Sequence, residues 1–119
     1  MKNKVLEFDK RNVRIEEIKE HVKFYIDKSN DGFKLLSDGN KKDAMEVLKE
    51  IRDIMKLENK YYNKSKLEDV ILSKKEYNNY CSALRDILAH QINTNSYDNL
   101  SSNLYDIEDY MMYYCADIL

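Results

Sequence analysis

Apolar residues recur along most of this chain at three- and four-residue steps, the spacing that gathers side chains on one face of an α-helix. Ile15, Ile18, Val22, Ile26, Phe33 and Leu36 form the first stripe, between a charged opening and Gly39. Gly39 reads as the stop, because glycine adopts the left-handed conformation that closes many helices. Asn30-Asp31-Gly32 within this stripe predicts a kink or a break. Ala44, Val47, Leu48, Ile51, Ile54, Met55 and Leu57 lie on or beside a second stripe, in a helix from about Lys41 to Tyr62 with Asn40 as its N-cap.

Ser65-Lys66-Leu67-Glu68 and Ser73-Lys74-Lys75-Glu76 both match the capping box, in which a hydroxyl and a carboxylate three residues on satisfy each other's backbone donors. They predict a short helix around Leu67 to Leu72 ahead of a longer one from Lys74 to Gln91, whose inward stripe is Tyr77, Cys81, Leu84 and Leu88. After the polar run Asn93-Thr94-Asn95-Ser96, a final stripe follows with Leu100, Leu104, Ile107, Met111, Cys115 and Ile118. Four amphipathic helices on short loops must bury their stripes against one another. The expected fold is therefore all-α, a mainly antiparallel four-helix bundle, as one domain over residues 1–119.

Composition strengthens this reading. Proline is absent and glycine occurs twice in 119 residues, which removes the usual punctuation of turn-rich β folds. Lys+Arg (20) nearly balance Asp+Glu (22), so the broad basic footprint of a non-specific nucleic-acid binder is missing. Cys81 and Cys115 fall on apolar helix faces without CxxC or metal spacing, which points to reduced, buried thiols. No apolar run reaches membrane-spanning length and the first residues lack the apolar centre of a signal peptide, so a cytoplasmic protein without a membrane partner is expected.

The candidate chemistry lies in Leu84-Arg85-Asp86-Ile87-Leu88-Ala89-His90. Arg85 and His90 are five residues apart, which on a regular helix sets their side chains roughly 140° apart. Asp86 and His90 are four apart and share a face, so the carboxylate is able to orient the imidazole and favour its protonated form. A structural alternative stands beside this: a histidine at a helix C-terminus complements the macrodipole, and an aspartate one turn earlier adds an ion pair.

This segment resembles the R-x4-6-H motif of HEPN domains, with a polar residue directly after the arginine and small or aliphatic residues leading to the histidine. The layout is similar too, with the motif in the C-terminal half, followed by a loop and another helix. The resemblance implies a metal-independent endoribonuclease acting as a toxin or defence effector, with a composite site formed across a homodimer interface. It assigns Arg85 to the transition-state phosphate, His90 to general acid-base work at the ribose 2′-hydroxyl or leaving oxygen, and Asp86 to orienting His90. RNA is the implied substrate, and an antitoxin or other protein an implied partner. HEPN toxins paired with nucleotidyltransferase antitoxins commonly carry an adenylylated tyrosine two residues after the histidine. Ile92 stands there in this chain, which puts that regulatory route in question.

No cofactor and no metal enter this reading. His21, with Glu16, Glu17 and Glu20 nearby, lacks the matched second Glu-x-x-His unit of a diiron bundle, so an exposed, charge-rich helix face is expected for it. The ten tyrosines exceed what core stripes require, and pairs such as Tyr113-Tyr114 place some rings at the bundle edge or at an interface. Lys41, Lys42, Lys64, Lys66, Lys74 and Lys75 would line an RNA path or simply solvate helix ends. The alternative to a ribonuclease is a non-catalytic helical bundle that works by binding, such as an immunity protein, antitoxin or regulator of a mobile element.

Overall fold

The first two stripes become α1 (Ile15–Ser37) and α2 (Lys41–Asn63), followed by α3 (Lys74–Ala89) and α4 (Tyr97–Cys115). The computed structural model describes residues 15–63, 74–89 and 96–116. The short helix expected around Leu67 to Leu72, the last turn expected through His90 and Gln91, and Ile118 all lie outside the described residues. Among the described residues there is no strand, and the architecture is an all-α four-helix bundle.

Gly39 closes α1 as its position predicts. Its φ is 89°, its N–H donates to the carbonyl of Leu36 at 3.1 Å, and the N–H of Asn40 donates to that of Leu35 at 2.8 Å. This pair of reversed bonds is the Schellman arrangement, which satisfies carbonyls that a helix end leaves open. Asn40 then occupies the cap position of α2, its carbonyl accepting the Ala44 N–H at 3.0 Å. Ser96 caps α4 with its hydroxyl, which accepts the Asn99 N–H at 3.1 Å.

With so short a turn, α2 must run back along α1. His21 bonds to Glu58 at 2.6 Å and Lys28 pairs with Glu50 at 3.3 Å, so one position rises as the other falls, the signature of antiparallel packing. The break expected at Gly32 does not occur, since α1 runs through it. Gly32 is instead a point of close approach. A Cβ there would lie 2.8 Å from Leu104 Cδ2 and 3.2 Å from Val47 Cγ1, so the missing side chain lets α2 and α4 pack close to α1.

The core takes Ile18, Val22, Tyr25 and Leu36 from α1, Ala44, Leu48, Ile51 and Met55 from α2, and Leu100, Leu104, Ile107, Met111 and Cys115 from α4. On α3, Tyr80, Ala83 and Ile87 join the expected Cys81 and Leu84, while Leu88 is partly buried. Each large side chain so buried contributes roughly 1.5–3 kcal/mol. One expectation fails on α2: Leu57 is 63% exposed and the next residue, Glu58, is fully buried. The stripe through Leu48, Ile51 and Met55 reaches position 58 on its next step, so helical register buries the carboxylate and turns the leucine outward. Cys81 and Cys115 are both buried, and burial, with a smaller contribution from Cys81, pushes the Cys115 thiol up to about 12. Cys115 is thus inert as a nucleophile at neutral pH.

Candidate functional site

The last turns of α3 carry the arginine of the motif. Leu84 and Ile87 are buried on one side of the helix, while Arg85 on the other is exposed and donates from Nη2 to Ser82 Oγ at 3.2 Å. The guanidinium is therefore presented to solvent, with its rotamer steadied one turn back. His90, the second residue of the expected pair, lies outside the described residues.

The end of α3 is fixed from below by a residue that sequence reasoning missed. Arg52 of α2 is buried and donates from Nη1 to the carbonyl of Ile87 at 3.1 Å and from Nη2 to that of Leu88 at 3.2 Å. The final carbonyls of a helix have no intrahelical donors and carry the negative end of its dipole, so a guanidinium satisfies both needs at once. Burial lowers the Arg52 pKa from its ordinary value, and its buried Nε has no hydrogen-bond partner among the described residues. The available signal was an arginine four positions after Leu48, beside the inward stripe of α2.

Asp86, adjacent to Arg85 in the chain, turns toward α4. Its carboxylate accepts a hydrogen bond from the Tyr114 hydroxyl. That bond is the main reason the Tyr114 pKa is raised, since ionising the phenol would set two negative groups against each other. The rings of Tyr113 and Tyr114 meet edge to face, with centroids 5.0 Å apart. Asp86, Asp109, Tyr110, Tyr113 and Tyr114 line a surface hollow there of about 400 Å³.

A second polar constellation sits inside the bundle. Glu58 of α2 receives Tyr25 Oη–H on Oε1 at 2.6 Å and Tyr80 Oη–H on Oε2 at 2.6 Å, and Oε2 also lies 2.6 Å from His21 Nδ1. All four residues are buried, so His21 does not stand on an exposed charged face as its acidic neighbours suggested. One carboxylate thus ties α1, α2 and α3 together through short bonds, as a buried acid requires. The tyrosine surplus is partly explained by this, because Tyr25 and Tyr80 are core residues rather than rim. Glu16 and Glu17 have no described side chains. Among the described residues no group of three or more His, Cys, Asp or Glu is placed to hold a metal ion, and no helix is long and apolar enough to cross a membrane.

No protein-family profile, no curated protein and no solved structure matches this chain.

Proposed function

We propose that the chain is a HEPN-like, metal-independent endoribonuclease, acting as a toxin or defence effector through a composite site at a homodimer interface. The observation that carries this reading is the exposed Arg85 guanidinium at the end of α3, a helix end held by Leu84, Ile87 and the Arg52 fork. A planar donor fork held on a rigid element suits a phosphate whose charge grows in the transition state. His90 supplies the proton chemistry in this reading, since imidazole titrates near neutrality. Asp86, whose carboxylate accepts from Tyr114, orients His90 in this reading, four places further along the chain. Two copies supply the opposing arginine and histidine that a single helix separates. The chain works in the cytoplasm in this reading, against RNA, with an antitoxin or similar protein restraining it.

The test is RNA cleavage by purified wild type, Arg85→Ala and His90→Ala with EDTA present, with oligomeric state measured on the same samples. Cleavage by wild type alone, with all three proteins folded and dimeric, is the expected result. Equal cleavage by wild type and His90→Ala would overturn the reading, as would a monomer that cleaves fully. The second reading, a non-catalytic binding protein, draws its support from the hollow beside Asp86.

A further inference from the structure

The hollow between α3 and α4 combines two features that favour a cation. The first is its lining of Tyr110, Tyr113 and Tyr114 beside Asp86 and Asp109. Tyrosine faces carry negative charge density and attract a cation within about 6 Å, and a carboxylate accepts two parallel bonds from a guanidinium. The second is the charge of the C-terminal part of the chain. From Gln91 to Leu119 the chain holds Asp98, Asp106, Glu108, Asp109 and Asp117 and no Lys, Arg or His, whereas all 20 of its Lys and Arg lie earlier. The C-terminal end of α4 adds the negative pole of its helix dipole at the same place.

The surroundings favour a polypeptide over a small cation. Tyr113, which lines the hollow, is 77% exposed. Such apolar surface beside a charged hollow matches an anchored side chain with flanking main chain and side chains laid against α4. Phosphates would meet the carboxylates of Asp86 and Asp109 in the hollow, so nucleic acid is disfavoured there. A guanidinium is preferred to an ammonium because it is planar, stacks on aromatic faces and is weakly hydrated.

We propose that this hollow is a docking site for an arginine presented by a basic segment of a partner protein, received by the Tyr110 and Tyr113 rings and paired with the carboxylates of Asp86 and Asp109. Its affinity for that arginine does not depend on RNA cleavage by α3.

The probe is a fluorescent peptide alternating Arg with Ser, compared with the same peptide carrying citrulline, a neutral isostere, at every Arg. Fluorescence anisotropy with the full chain should show salt-sensitive binding of the arginine peptide and at least about tenfold weaker binding of the citrulline peptide. Tyr113→Ala and Asp109→Asn, both at exposed positions, should each weaken the arginine peptide about tenfold while circular dichroism stays unchanged. Asp98→Asn, at the opposite end of α4, should leave binding intact. Absence of binding, equal affinity for the citrulline peptide, or an equal loss in Asp98→Asn would overturn the proposal. So would free arginine binding as tightly as the peptide, which marks a small-cation site, or an RNA oligonucleotide that binds the chain and loses affinity in Tyr113→Ala.

Discussion

Among the described residues, tyrosine and carboxylate meet around Glu58 and around Asp86, and these two meetings have opposite settings. Around Glu58 they are sealed from water, with Tyr25, Tyr80 and His21 directed at one carboxylate from two other helices. Around Asp86 and Asp109 they open to solvent, and Tyr113 leaves most of its ring uncovered. In the dry site each bond replaces water that the group has lost, so the arrangement specifies which helices are neighbours. In the wet site the same groups remain hydrated, and their use is to exchange that water for a ligand. The chemistry is shared, and burial decides whether it stabilises the fold or recognises something outside it.

Substitutions should separate the two sites by the size of their effect on stability. Glu58→Ala leaves two tyrosine hydroxyls and a histidine without their acceptor in the core, and should cost about 3–5 kcal/mol of unfolding free energy, read from urea denaturation. A loss below about 1 kcal/mol would mean the network is dispensable and would break the contrast. Arg52→Met keeps much of the side-chain volume but withdraws two charged donors from the end of α3. It should cost about 1–3 kcal/mol, with faster amide exchange confined to the last turn of α3. Uniform exchange across the bundle would show that Arg52 supports packing generally rather than that helix end. Arg85→Ala should be the mildest, shifting stability by less than about 0.5 kcal/mol, because its bond to Ser82 lies in solvent. A large loss there would make Arg85 a structural residue and take it out of the proposed site.

The apolar stripes, the glycine stop and the four long helices were legible because each rests on local periodicity or local backbone conformation. Gly39 needs only its own φ to end α1. The buried polar node was not legible, because the inward position after Met55 is held by a glutamate, while the leucine beside it carries the hydrophobic signal outward. His21 misled for a related reason: its acidic neighbours in sequence pointed to an exposed face, whereas it is buried and meets Glu58 from α2. Gly32 looked like a weak point in α1 and proved to be a contact, a distinction set by Leu104 and Val47 from other helices. At the candidate site, the grip of Arg52 and the turn of Asp86 toward Tyr114 were not legible, because they depend on tertiary neighbours.

The Glu58 node also constrains how such a sequence can change over time. Loss of the carboxylate withdraws a buried acceptor from three side chains, and loss of any one of them removes a bond that the carboxylate uses, so intermediates between two viable cores are penalised. Positions 21, 25, 58 and 80 should therefore vary as a set in descendants of a common ancestor, replaced together by apolar residues or retained together. Independent drift at those four positions across an alignment of such chains would show that the node is optional. Correlated replacement would make it a fingerprint by which distant members could be found after their surface residues have diverged.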